Sequence, residues 1–227
     1  MAFGFGDPTS RRRDRARKRA RGPLADYYAV PVPVDGTPAS ELRLLSLDFE
    51  TTGLDPATSS LLSAGFVPVT CSSIELAGAG RLVVRGTAEV GQSATVHGLT
   101  DDVVSAGVGF ERAIETVLAA LAGRVLLAHF ADIEVGVLSR ACERLFGAPF
   151  VSPTVDTMAL AHRRLTIGFD AEPSIDELRL WSARARYGLP RYLAHEALTD
   201  AIAGAELYLA QVAELPGTPT LASLRSD

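Results

Sequence analysis

An apolar run that ends in two acids one residue apart, Leu44-Leu45-Ser46-Leu47-Asp48-Phe49-Glu50, constrains this chain more than any other stretch. The run has the composition of a buried strand, and a strand turns alternate side chains to opposite faces. Asp48 and Glu50 therefore project together from the strand end, and Phe49 goes the other way. Two carboxylates held that close repel each other unless a cation lies between them. Hard divalent ions such as Mg²⁺ or Mn²⁺ take oxygen ligands, so the segment reads as half of a metal site. The following Thr51-Thr52-Gly53-Leu54-Asp55-Pro56 is turn chemistry. An Asp-x-Glu alone is also compatible with a structural strand end, so the reading depends on further acids and a base downstream.

The apolar runs after residue 40 alternate in a legible order. Strands are expected at Arg43–Phe49, Leu61–Val69, Cys71–Leu76, Arg81–Arg85 and Arg124–Ala128, with a short strand-to-helix passage at Val155-Asp156-Thr157. Helices are expected at Phe110–Leu121, Ile133–Phe146 (stopped by Gly147 and Pro149), Ser174–Tyr187 and Glu196–Ala213. Ser174 and Glu177 have the spacing of a capping box. An antiparallel group followed by alternating helix and strand implies an α/β fold, a mixed five-stranded sheet with helices on both faces.

At 227 residues the chain suits one domain, 41–215, with extensions at each end. Residues 1–40 read as a basic, Pro-containing arm and linker, with a short helix over Ser10–Arg21; residues 216–227 read as a short tail. The net charge of -5 conceals an asymmetry: the first 40 residues hold eight basic and four acidic side chains, the remainder 14 and 23. An acidic body with a basic arm suits a polyanion held by the arm and cations held by the body; the alternative is a solvated arm. No secretory signal or membrane-spanning run is evident, and Cys71 and Cys142 read as buried, reduced thiols. The expected compartment is the cytoplasm. Arg179, Arg184 and Arg186 are read as a solvated face, with phosphate contact as the alternative.

Two further segments supply the missing groups. In His195-Glu196-Ala197-Leu198-Thr199-Asp200-Ala201, small residues at Ala197, Ala201, Ala203, Gly204 and Ala205 let a helix lie close to a sheet, and Asp200 falls on or beside that side. A carboxylate there is costly unless paired or metal-bound. His195 stands just ahead of the helix, and histidine titrates near neutrality. In His129-Phe130-Ala131-Asp132-Ile133-Glu134 two acids compete. The helix period puts Glu134 on the buried stripe with Leu138, Ala141 and Leu145, and turns Asp132 toward solvent, where it reads as a helix cap.

Together these segments resemble the DnaQ-like DEDDh 3′–5′ exonucleases, similar to the epsilon-type exonuclease domain of bacterial DNA polymerase III, over residues 43–213. The first motif is Asp48 through Leu54; the third is His195 through Ala201, approached through Gly188-Leu189-Pro190. Val155-Asp156-Thr157 and His97-Gly98-Leu99-Thr100 also resemble family segments. The second motif departs from the family's His-Asn-x-x-Phe-Asp: the asparagine is missing and Glu134 replaces the aspartate. The resemblance implies an RNase H-like fold. It also implies two divalent cations, Mg²⁺ or Mn²⁺, held by Asp48, Glu50, Glu134 and Asp200, with His195 as general base. Thr51, Thr52, Leu54 and His97 are implied on the substrate side. The implied reaction releases nucleoside 5′-monophosphates one at a time from the 3′ end of single-stranded DNA or RNA. The partners would be those ends and a DNA polymerase or repair complex, with no membrane. The short stretch after the last helix argues against a long polymerase-binding tail. The alternatives are a nucleic-acid-binding or polymerase-associated module with little catalysis, or an oligoribonuclease-like scavenger of short RNAs.

Overall fold

The computed structural model describes residues 8–53, 59–85, 107–166, 172–193 and 195–226. Leu54 and His97, both assigned to the substrate side by resemblance, lie outside the described residues.

Strand β1 (Arg43–Thr51) forms the middle of a mixed sheet. It pairs antiparallel with β2 (Leu61–Thr70) on one side and parallel with β5 (Val125–Ala128) on the other; β6 (Thr154–Asp156) continues the parallel half. The far edge of β2 is shared end to end by β3 (Ser73–Ile74) and β4 (Gly80–Val83). The sheet thus has six strands rather than five, because the short segment ahead of Thr157 pairs fully with β5.

The period-two reading of β1 holds. Leu45, Leu47 and Phe49 enter a core with Ile114, Val117 and Leu118 of helix α3 (Phe110–Leu121) and Leu138, Ala141 and Cys142 of α4 (Asp132–Phe146). Leu44 faces the other way, into a second core with Ala205 and Tyr208 of α8 (Ala197–Ala213). Helices therefore cover both faces, and Ser46, Asp48 and Glu50 alternate onto the α8 side. The parallel ladder with β5 stops at Ser46 and Leu127, so the last turn of β1 projects beyond it and carries its acids into a crevice at the strand ends.

Between Thr157 and the crevice wall lie α5 (Thr157–Thr166), α6 (Ile175–Leu178) and α7 (Leu180–Arg186). The capping box of Ser174 and Glu177 is present, but the expected single helix over 174–187 breaks at Arg179, whose backbone is extended (φ -55°, ψ 148°).

Three readings are corrected. Residues 8–40 are not an arm apart from the domain. Helices α1 (Pro8–Arg17) and α2 (Gly22–Ala29) dock on it, and Leu24, Tyr27 and Tyr28 belong to the main core. Arg13 fixes the dock, its guanidinium 4.5 Å from the Tyr27 ring centroid and donating to the carbonyls of Val151, Tyr27 and Val30. The tail is likewise packed: Pro38 bridges Thr220, and Leu221 and Leu224 of α9 (Leu221–Leu224) are fully buried. Cys142 is buried, but Cys71 is exposed. Cys71 and Ser72 form the tip of the two-residue β2–β3 hairpin with φ of 49° and 62°, the backbone a right-twisted hairpin requires, and a hairpin tip points to water. For the same reason the expected strand over Cys71–Leu76 shrinks to Ser73–Ile74. Among the described residues no helix is long and apolar enough to cross a membrane.

Candidate active site

The site is assembled by the close approach of α8 to β1 and β2. Gly65 stands opposite Asp48 in the antiparallel register, and a Cβ on it would lie 2.1 Å from the backbone of Ala197 and Leu198. The first turn of α8 therefore rests on the bare backbone of β2. Ser46 Oγ donates to the carbonyl of Ala201 at 2.7 Å, and a Cβ on Gly204 would sit 3.5 Å from that hydroxyl oxygen. The small face of α8 does what its composition suggested, and it delivers Asp200 beside the strand end.

There Glu50, His195 and Asp200 each offer a ligand atom, all within 4.8 Å of one another. Glu50 is buried, Asp200 half-buried and His195 exposed. The backbone of His195 adopts φ 67°, the left-handed region that a residue with a side chain enters at a cost. Its N–H donates to Asp200 Oδ2 at 3.1 Å, which offsets that cost and ties His195 to Asp200.

Glu134 approaches from the opposite side of β1. It is buried on the first turn of α4, and its Oε1 accepts the backbone N–H of Phe49 at 3.3 Å. Asp132 is exposed and makes no capping bond; the cap position belongs to Ala131. Asp156 takes the capping role instead, accepting the N–H groups of Phe130 and Ala131 at 2.9 and 3.1 Å. That explains how Phe130 tolerates φ 67°. His129 is half-buried, with Nδ1 2.8 Å from Thr157 Oγ1, and loss of water around its ring lowers its pKa to about 4. It is a neutral packing group.

The acids repel and are short of water. Burial pushes Glu50 up to about 7, with the charges of Asp200 and Glu196 adding to the shift. Burial pushes Glu134 up to about 8, against the lowering effect of its backbone hydrogen bonds. Asp48 is raised well above its ordinary value by burial, then by Glu134, Asp200 and Glu50, and Asp200 is raised chiefly by burial. Among the described residues Glu134 Oε2 and Asp200 Oδ1 are buried without a hydrogen-bond partner. Buried oxygens left unpaired within a group of mutually repelling acids fit divalent cations, whose charge removes the repulsion and whose coordination satisfies the oxygens.

Thr51 and Thr52 sit at the end of β1 with their hydroxyls engaged locally. Thr51 Oγ1 donates to the Gly53 carbonyl at 2.7 Å, and Thr52 Oγ1 accepts the N–H of Ser60 at 2.9 Å.

One functional element escaped sequence reasoning. Arg184 is 1 % exposed rather than solvated. It donates to the carbonyls of Ala203 and Pro190 at 2.6 and 2.8 Å and to Glu206 Oε2 at 2.7 Å, while Tyr192 donates to Glu206 Oε1 at 2.9 Å. Its guanidinium lies 4.9 Å from the Tyr192 ring centroid and 5.4 Å from that of Trp181. The loop carrying His195 is thereby fastened to α8 on its leading side. On its trailing side Glu196 pairs with Arg81 of β4 at 2.7 Å and accepts the N–H of Thr199 at 2.8 Å.

Comparison with known proteins agrees with this architecture. The fold is shared with the crystal structure of Escherichia coli Exonuclease I in complex with a dT13 oligonucleotide, with a TM-score of 0.61 at 14% identity over 78% of this chain and 42% of that one. The mixed sheet with helices on both faces is the RNase H-like, DnaQ-like exonuclease fold. The exonuclease family model of the RNase T type matches residues 45–208, and the chain belongs to that family. Among curated relatives it is 25% identical to the PolC-type DNA polymerase III of Thermotoga maritima over 77% of this chain. It is 29% identical to a DNA polymerase III subunit epsilon-like protein of Rhodobacter capsulatus over 76%. The chain spans only 12% of the first relative's length and 24% of the second's.

Proposed function

We propose that the chain is a metal-dependent 3′–5′ exonuclease of the DEDDh type, which hydrolyses single-stranded nucleic acid from its 3′ end and releases nucleoside 5′-monophosphates. The observation that carries this reading is the meeting of Glu50, His195 and Asp200 within 4.8 Å, beside buried acid oxygens that lack partners. Asp48, Glu50 and Asp200 would hold one divalent cation, Mg²⁺ or Mn²⁺, and Asp48 with Glu134 would hold a second. Bound there, the pair supplies positive charge to the phosphodiester oxygens and lowers the pKa of water.

The chain's own residues supply the remainder. His195 takes the proton of the attacking water at a ring nitrogen, its position set by the strained backbone that Asp200 holds. Thr51 and Thr52, at the end of β1, would meet the terminal sugar; the roles that the family resemblance implies for Leu54 and His97 on the substrate side fall on residues outside those described. DNA is favoured over RNA by the polymerase names of the two relatives and by the dT13 oligonucleotide on the Exonuclease I neighbour. The same names support a DNA polymerase or repair complex as partner.

A 5′-labelled single strand of about 20 nucleotides tests the proposal. With Mn²⁺ it should shorten as a ladder, EDTA should stop the reaction, and Asp200→Ala should lose at least about 100-fold in rate with an unchanged circular dichroism spectrum. Immediate release of labelled mononucleotide would mean the opposite polarity. Near-parental turnover by Asp200→Ala would remove the metal site from the mechanism.

A further inference from the structure

Helix α1 carries a row of cations far from the acids of the active site. Ala16 is buried and Arg13 is committed inward to Tyr27 and Val151, so the rest of the helix faces water. Arg12, Arg15, Arg17 and Lys18 are exposed, and among the described residues none of them forms an ion pair. Arg12 and Arg15 stand three residues apart on α1 and Lys18 follows in the turn after it, so like charges sit as neighbours and repel. The helix keeps this arrangement because Arg13 and Ala16 pin it to the core. Asp14 is the single acid on the helix, so the row keeps an excess of positive charge that a bound polyanion would neutralise. Alongside it, between α1 and residues 30–35, runs a groove of about 470 Å³ with Arg17 on its rim and Val30 and Val34 on the far wall.

The place of the row in the fold is set by α4. The N–H of Arg21 donates to the carbonyl of Phe146, and an Arg19 guanidinium N–H donates to that of Gly147, both at the C-terminal end of α4. Glu134 occupies the other end, 12 residues earlier. At 1.5 Å per residue these two anchors stand about 18 Å along α4 from Glu134, and the row continues from them. The remainder of the chain is net acidic, with 14 basic against 23 acidic side chains after residue 40, whereas residues 8–21 hold eight basic side chains against Asp14 alone.

We infer that α1 is a second contact for the phosphate backbone of a polynucleotide, which holds a substrate strand remotely while its end occupies the active site. This rests on the proposed nuclease function for the strand's identity, and its chemistry is separable from hydrolysis. A strand must be long enough to bridge the gap before α1 contributes, so short and long strands differ.

Binding of labelled single strands of 4 and 20 nucleotides, followed by fluorescence anisotropy of the full chain in EDTA, tests it without turnover. The variant is Arg12→Gln/Arg15→Gln/Arg17→Gln/Lys18→Gln, whose positions are all exposed; a melting curve checks its fold, and Arg15→Glu/Lys18→Glu serves if it fails. For the 20-mer the variant should bind about 10-fold or more weakly at low salt. Its slope of log affinity against log salt should flatten by about 3, given about 0.7 per phosphate contact on single strands and four cations removed. The 4-mer should bind alike to both proteins. Equal affinity and slope for the 20-mer, or no binding of it by the parent chain, would overturn the inference. If the 20-mer binds through α1 but Mn²⁺ never shortens it, the docking surface stands and the nuclease proposal falls.

Discussion

The Oε1 atom of Glu134 accepts the backbone N–H of Phe49 at 3.3 Å, which binds the first turn of α4 to the one residue lying between Asp48 and Glu50. The second motif thus serves the first twice: it supplies a carboxylate, and it closes the strand edge that β5 leaves unpaired beyond Ser46. Its other oxygen, Oε2, is buried without a hydrogen-bond partner among the described residues.

Glu134→Gln should therefore be far more damaging than Asp132→Asn. The amide loses the charge a cation needs, and its NH₂ group opposes the Phe49 N–H in one of its two orientations. A fall of about 100-fold or more in kcat with Mg²⁺ is expected for Glu134→Gln, against near-parental rates for exposed Asp132→Asn. The reverse ranking in a nuclease assay would assign the second-motif acid to Asp132.

Removal of metal should make stability fall as pH rises. Glu134 and Glu50 have folded-state pKa values raised from 4.5 to about 8 and about 7. In that interval the folded chain holds protons that the unfolded chain has released, so each group's favourable contribution is present below pH 4.5 and is lost as pH climbs through 7 to 8. With EDTA present, Tm should drop by about 5 °C or more between pH 5.5 and 8.5. Mn²⁺ should restore it more at pH 8.5 than at pH 5.5, because at acid pH the ion competes with protons. A metal-free Tm that is flat or rising across this range would contradict the burial of these acids.

Gly65→Ala should disrupt the site without touching any acid. The new methyl would meet the backbone of Ala197 and Leu198 at 2.1 Å, and backbone cannot swing aside as a side chain does. The start of α8 must lift, which carries His195 and Asp200 away from Glu50. Both Tm and turnover should fall, turnover by about 10-fold or more, since small misplacements of reacting groups cost up to about 100-fold. An unaltered rate would mean that α8 is not held by this contact.

Arg184→Met should uncouple the histidine loop from α8. It leaves the Pro190 and Ala203 carbonyls without their donor and Glu206 without its cation. Breaking a buried pair from one side costs about 3 kcal/mol, reduced here because Glu206 is 26% exposed. Tyr192→Phe removes a single hydrogen bond to Glu206 and should cost about 1 kcal/mol. Urea denaturation of the two variants gives the comparison, and equal midpoints would deny Arg184 its anchoring role.

Local periodicity carried much of this molecule. The two-residue period put Asp48 and Glu50 on one face and Phe49 on the other. The 3.6-residue period separated buried Glu134 from exposed Asp132, and the small residues of 197–205 forecast a helix lying on the sheet. Each is a property of a segment with its neighbours in sequence, so it is written in the order of the residues. What only the tertiary structure decided are meetings between distant segments. Arg184 looks like one of several surface arginines until Glu206, Pro190 and Ala203 close around it. The basic arm looks detached until Tyr27 and Tyr28 enter the core under Arg13. Gly65 looks like any strand glycine until α8 lies against it. Charge and hydrogen-bonding capacity are legible in a side chain, but whether water or protein satisfies them depends on which surfaces pack, and packing is a property of the whole fold.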